Sequence, residues 1–233
     1  MDVRPIPGLE HLPYAEVWFH AVDDDAWHAA SAAARAIEKT GLEAWRTTRT
    51  PEVAPWLEGK GYDEVRRYVI SELDVAAAPD LGEPAFEIVT FADRPDLEGE
   101  LYALARLGYA DQPGRSESVI DDWPRWGLHV HRPDGYFIAL EGGQLVGYGY
   151  LALEGETWSN GFMAVAREAR GRGVAGALKR AQIRWAKAEG IARLRAANEV
   201  RRESMLALNR RFGYQPLYEE IVLRGPLGQD LSR

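Results

Sequence analysis

The chain contains no cysteine. That absence excludes disulfides, a thiolate nucleophile and every zinc site built on sulfur. Long apolar runs are missing too, none approaching the ~20 residues a membrane-spanning helix needs. Met1, Asp2, Val3, Arg4 and Pro5 do not form a basic stretch leading into an apolar one, as a secretory signal would. A cytoplasmic location with no membrane partner is expected. There is no Gly-Lys-Ser/Thr of a P-loop and no Gly-x-Ser-x-Gly nucleophile elbow. His129 and His131 share a face if extended, but no third ligand accompanies them, so no metal is expected.

What is present fits a globular protein: 46% hydrophobic, 10% aromatic and 27% charged residues. At roughly 150 residues per domain, a length of 233 residues gives about one and a half domains. The net charge of −8 hides an asymmetry. Residues 164–214 hold 13 Lys and Arg against 4 Asp and Glu, leaving −17 for the remainder. The basic segment should attract an anion. The acidic remainder argues against nucleic acid or an anionic membrane as partner, and suits a cationic one.

Residues 76–85, with two prolines, a glycine and no periodicity, read as a linker that splits the chain into residues 1–83 and 84–233. Beyond it, residues 86–91 read as a strand, residues 96–109 as a helix with Leu97, Leu101, Leu104 and Leu107 in one stripe, and residues 116–122 as a second helix. Two strands, residues 136–140 and 145–153, flank Gly142-Gly143, a hairpin-turn dipeptide. A strand over residues 161–166 precedes a helix whose stripe is Val174, Leu178, Ala181 and Trp185 and which stops at Gly190. Residues 192–196 alternate as a strand, Met205, Leu208 and Phe212 form a last helical stripe, and residues 217–224 close the chain. Antiparallel strands leading into a strand, helix, parallel strand unit define an α+β fold.

Arg170-Gly-Arg-Gly-Val-Ala-Gly176 lies between an apolar strand and an amphipathic helix. Glycines let backbone N–H groups meet a ligand closely, and the helix N-terminus adds about half a positive charge. With Arg170 and Arg172 this is an anion cradle formed by Arg170, Gly171, Arg172, Gly173, Val174, Ala175 and Gly176. Gly171-x-Gly173-x-x-Gly176 also fits the dinucleotide fingerprint, but antiparallel strands precede it and some 57 residues follow, too few for a doubly wound sheet.

Arg170-x-x-Gly173-x-Ala175 resembles the Gln/Arg-x-x-Gly-x-Gly/Ala motif of the GNAT superfamily of N-acetyltransferases, and Asn209-x-x-x-Gly213-Tyr214 resembles that family's closing helix. The resemblance covers residues 84–227. It implies a mixed, mostly antiparallel sheet with flanking helices and a splayed parallel strand pair that admits acetyl-CoA. It further implies that the loop holds the pyrophosphate and that the backbone of Met163, Ala164 and Val165 meets the pantetheine. Gly41-Leu-Glu-Ala-Trp45 resembles Gly190-Ile-Ala-Arg-Leu194, and Trp56-Leu-Glu-Gly-Lys-Gly61-Tyr62 resembles Leu208-Asn-Arg-Arg-Phe-Gly213-Tyr214, so residues 1–75 read as the C-terminal half of a second such unit. An unrelated small α/β cap is the alternative. Asp23-Asp-Asp25 stands about where Arg172-Gly-Val174 lies, so one coenzyme per chain is expected.

The resemblance implies transfer from acetyl-CoA to a small primary amine; with no cysteine, direct transfer in a ternary complex is expected, without metal, and the acidic residues outside the cradle suit a cationic acceptor. Val165 N–H would polarise the thioester carbonyl, and Glu156 would act as base through water. The family's usual acid tyrosine is replaced by Asn209, which could still hydrogen-bond pantetheine; Tyr214 or Tyr218 would substitute as acid. The lost acid matters little, since a coenzyme thiolate with a pKa of about 8.5 leaves at a cost of roughly 2 kcal/mol at neutral pH. Arg202 stands where related sequences carry a pantetheine-binding asparagine, a role Asn198 would take. Asp111, Glu117, Asp121, Asp122, Trp123 and Trp126 would face the acceptor. A monomer or homodimer is expected, and a catalytically silent acyl-CoA sensor is the competing reading.

Overall fold

The computed structural model describes residues 2–6, 10, 12–79, 82–83, 85–111 and 132–229. The helix expected over residues 116–122, and with it Glu117, Asp121, Asp122, Trp123, Trp126, His129 and His131, lies outside the described residues. Two compact units emerge: Met1–Ile70 with Asn198–Arg202 and Leu217–Arg233, and Ser71–Ala197 with Glu203–Pro216. Three strands change unit along their length, so the units are not two consecutive pieces of chain.

The same order of elements occurs twice. β1 (Arg4–Pro5) precedes β2 (Tyr14–Trp18), α1 (Asp24–Ala36), β3 (Gly41–Thr47), α2 (Val53–Gly59) and β4 (Asp63–Asp74). Then come β5 (Glu87–Thr90), α3 (Glu98–Ala110), β6 (Tyr136–Glu141) and β7 (Gln144–Glu154). After these, β8 (Thr157–Val165), α4 (Val174–Ala188), β9 (Arg193–Glu199), α5 (Glu203–Arg211) and β10 (Gln215–Pro226) repeat the strand, helix, strand, helix, strand order that begins at β2. β3 and β9, like β4 and β10, start 152 residues apart, and α1 and α4 start 150 apart. The first two strands of each repeat, β2 with β3 and β8 with β9, pair in parallel.

Each closing strand pairs with the other repeat's middle strand. In the first unit β10 runs antiparallel to β3, with Pro226 opposite Gly41 and Glu220 opposite Thr47. In the second unit the end of β4 flanks β9, where Val75 N donates to Ala192 O at 3.0 Å and Arg195 Nε donates to Glu72 at 3.1 Å. The ion pairs follow the same offset: Glu43 with Arg224 in the first unit, Arg195 with Glu72 in the second, with the signs reversed.

The first unit orders its strands β1-β2-β3-β10-β4 and packs α1 and α2 over Ala15, Val17, Leu42, Ala44, Ile221 and Leu223. Glu16 and Glu43, of the other parity, point to the opposite face. The second unit orders its strands β9-β8-β7-β6-β5. Tyr136, Ile138, Tyr148 and Ala164 pack with α3 on one face, while Phe137, Ala139, Leu151 and Leu194 pack with α4 on the other. Gly142 and Gly143 have φ of 57° and 81°, as the tight β6–β7 turn requires.

The structure departs from the sequence reading in several places, and Leu107 of α3 is exposed, outside the buried stripe of Leu97, Leu101 and Leu104. β8 begins at Thr157, because pairing with β7 recruits polar residues that show no alternation. β9 continues to Glu199, so Asn198 is a strand residue. The buried face of α4 is Val174, Ala177, Leu178, Lys179, Gln182, Ile183 and Ala186, with Ala181 and Trp185 only half-buried. No helix among the described residues is long and apolar enough to cross a membrane.

Candidate functional site

β8 and β9 pair only at Ser159↔Arg195 and Asn160↔Ala196; beyond Asn160, pairing with β9 is absent among the described residues. This is the splayed pair the resemblance implies. Across β8 the ladder to β7 persists, with Met163, Ala164 and Val165 opposite Gly149, Tyr148 and Gly147. An extra β8 residue sits at Gly161-Phe162, where a Cβ on Gly161 would overlap the Tyr150 ring.

Which of these backbone groups face the gap follows from the ladder. Ala166 N donates to Val146 O at 3.0 Å, which makes Val146 and Ala166 a hydrogen-bonded pair. Antiparallel pairs alternate, so Gly147/Val165 and Gly149/Met163 are non-hydrogen-bonded and their β8 N–H and C=O groups turn away from β7. Met163 and Val165 therefore present backbone to the gap. Ala164 spends its backbone groups on β7, and its methyl side lies against Gly108 of α3.

The Val165 carbonyl accepts from Arg170 Nε at 3.1 Å, which ties the strand end to the following loop. Gly171 and Gly173 adopt φ of 75° and 92°, and a Cβ at either would meet open space. Gly173 is the N-cap of α4 and makes no side-chain cap bond. The first N–H groups of the helix therefore lack intrahelical partners and open outward beside Arg170 and Arg172. α1 differs: the Asp23 carboxylate accepts from Ala26 N at 2.9 Å, and Asp24 and Asp25 fill its first turn. Helix starts align Asp23 with Gly173, one residue from the sequence register.

The cradle arginines carry acidic partners. Asp111, capping the end of α3, lies 2.6 Å from Arg167 and 2.5 Å from Arg170. These guanidiniums, Arg167 first, hold its carboxyl down at about 2. Arg172 pairs with Glu141. Asp111 is thus committed to the loop's arginines rather than to the acceptor.

Other expected residues are dispersed. Glu156 is exposed in the β7–β8 turn, four residues before the gap opens, or about 13 Å of strand. The cradle follows the other end of β8. Asn198 belongs to the first unit. Asn209 is buried in α5, where its carbonyl accepts from Phe212 and Tyr214 and closes the helix ahead of Gly213. Tyr218 is in the first unit, its ring 4.0 Å beneath the Arg49 guanidinium. Among the described residues no three His, Asp or Glu groups converge on a common point.

Tyr214 is buried, and burial raises its pKa. Its hydroxyl donates to Asn160 Oδ1 at 2.5 Å. The same oxygen takes a bond from Lys179 Nζ at 2.8 Å, while Asn160 Nδ2 donates to Gln182 Oε1 at 3.1 Å. Asn160, Lys179 and Gln182 escaped the sequence reading. Their one signal was polar residues at i and i+3, Lys179 and Gln182, set among the buried apolar positions of α4.

A strand pair that parts beside an uncapped helix N-terminus, with antiparallel strands on its flank, is the α+β arrangement that the resemblance implies. Residues 99–214 match the Acetyltransferase (GNAT) family. The chain belongs to the GNAT superfamily. Among solved structures it is similar to a GCN5-related N-acetyltransferase from Sphaerobacter thermophilus, with a TM-score of 0.75 at 19% identity over 99% of this chain and 78% of that one. It is also similar to a tandem GNAT protein from the clavulanic acid biosynthesis pathway (0.68, 19%, 94% and 77%) and to a GCN5-related N-acetyltransferase from Kribbella flavida (0.63, 15%, 97% and 84%). No curated protein matches the sequence. The family points to acyl-CoA-dependent acetyl transfer.

Proposed function

We propose that the chain transfers an acetyl group from acetyl-CoA to the primary amine of a small, cationic acceptor, directly and with one coenzyme per chain. The observation that carries this reading is the placement of two outward-turned backbone groups, at Met163 and Val165, beside the uncapped N-terminus of α4. The loop fits a pyrophosphate: open space over Gly171 and Gly173, free helical N–H groups and two arginines converge there. When bound, the coenzyme supplies an activated thioester. Arg170, Arg172 and the N–H groups from Val174 to Gly176 hold the phosphates, and Met163 and Val165 align the pantetheine in the gap. Val165 lies five residues along β8 from Asn160, on the phosphate side of the gap, so its N–H bonds the pantetheine and not a carbonyl beside Tyr214.

The acceptor must shed a proton, which for a lysine-like amine at neutral pH costs about 4.6 kcal/mol. Tyr214 stays protonated across the physiological range and is the candidate donor toward the leaving thiolate. With no cysteine in the chain, an acyl-cysteine step is excluded. The net charge of −8 supports a cationic acceptor. A silent acyl-CoA sensor is favoured by one observation, the commitment of the Tyr214 hydroxyl to Asn160. Release of free coenzyme thiol against a panel of amines separates the two: turnover of a cationic amine supports the enzyme, and binding without turnover supports the sensor.

A further inference from the structure

Asn160 is the last β8 residue paired with β9, and it is the hub of a buried polar cluster that phosphate and pantetheine binding leave unused. Its Oδ1 receives both the Lys179 amine and the Tyr214 hydroxyl, which fills the two lone pairs of a carboxamide oxygen. Lys179 is 2% exposed and Gln182 is fully buried. Gln182 Nε2 has no hydrogen-bond partner among the described residues. Packing alone does not account for Lys179, since an apolar side chain would fill this place without the cost of burying an amine.

The surroundings of that amine are neutral. From β5, β6 and β7, α4 meets Ile88, Phe137, Ala139, Gly147 and Leu151. β8 contributes Asn160, its own helix Gln182, and the segment before β10 the Tyr214 ring, 4.4 Å from Nζ. Tyr214 is the one titratable group among these. Burial alone lowers the Lys179 amine to about 7.

We propose that Lys179 is a positioning residue: acting through Asn160, it fixes the point at which β8 and β9 part and holds the Tyr214 hydroxyl at the closed end of the gap. This rests on the reading that the gap receives an acyl-coenzyme. Without Lys179 the Asn160 carboxamide has one donor fewer and is free to turn, so Tyr214 loses a fixed direction. A ligand entering the gap changes the polarity beside Asn160, and the titration of Lys179 should respond.

The chain has only four lysines, Lys39, Lys60, Lys179 and Lys187, so lysine labelled with ¹³C at Cε gives a spectrum of four signals. The signal lost in Lys179→Met is followed from pH 5 to 10, with and without coenzyme A, while calorimetry reports binding independently. The expected result is an apparent pKa far below that of ordinary lysine, moving by about half a unit or more when coenzyme binds. In kinetics, Lys179→Met should lower kcat about tenfold with KM for acetyl-CoA nearly constant, and should remove the inflection near neutrality from the kcat profile. If Lys179→Met does not fold, Tyr214→Phe serves instead and must shift the same signal. Coenzyme binding that leaves the Lys179 titration unmoved overturns this proposal alone. Failure to bind coenzyme overturns the proposed function, and this inference with it.

Discussion

The carboxylate of Asp111 lies 2.5 Å from the guanidinium of Arg170, the arginine expected to meet the coenzyme pyrophosphate. Arg170 also donates to the Val165 carbonyl, so one side chain joins the end of α3, the end of β8 and the loop. A pyrophosphate must share this arginine with Asp111 or take it from it.

Asp111→Asn should therefore tighten coenzyme binding. Exposed ion pairs are weak, so the gain should be about two- to five-fold, and larger at low salt. Calorimetric dissociation constants at two salt concentrations check this; weaker binding would mean that Asp111 orients Arg170 instead of restraining it.

Lys179→Met should change how stability depends on pH. The amine titrates at about 7 in the folded protein, against an ordinary lysine value of 10.5. Between these values the unfolded chain binds the extra proton, so parent stability rises with pH by up to ~1.4 kcal/mol per unit. The methionine variant lacks this term. Its stability relative to the parent should be greatest at pH 7 and below and should fall toward pH 10 in urea titrations; a constant difference would place an ordinary lysine there.

Glu43 is fully buried and bonded to Arg66 and to Arg224, whereas its counterpart pair, Glu72 with Arg195, is partly exposed. Removing one partner of a buried pair strands a charge, so Glu43→Gln should lose about 3 kcal/mol or more. Glu72→Gln should lose within about 1 kcal/mol. Denaturant midpoints of the two variants test the contrast, and equal losses would contradict it.

Local chemistry made much of the fold legible. Gly142-Gly143 announced the β6–β7 hairpin because both residues need positive φ, and Gly173 and Gly190 bracketed α4 for the same reason. Asp23 was readable as incompatible with a phosphate and proves to be the cap of α1. Long-range partners were hidden. Asn160 meets Lys179, Gln182 and Tyr214 across 19, 22 and 54 residues, and no local period encodes such a meeting. The exchange of β4 and β10 was invisible, since two 12-residue strands of similar pattern satisfy either pairing. The position of Glu156 relative to the gap was hidden as well, since proximity to β8 in sequence says nothing about which end of the strand opens.

Calorimetric titration with acetyl-CoA tests the central claim most directly. One site per chain is expected, weakened at least tenfold by Arg170→Glu, which sets a like charge beside the phosphates, and by Gly173→Val, which puts a branched side chain at φ 92°. Two sites per chain, or one that both variants leave intact, would contradict the assignment of the coenzyme to the loop before α4.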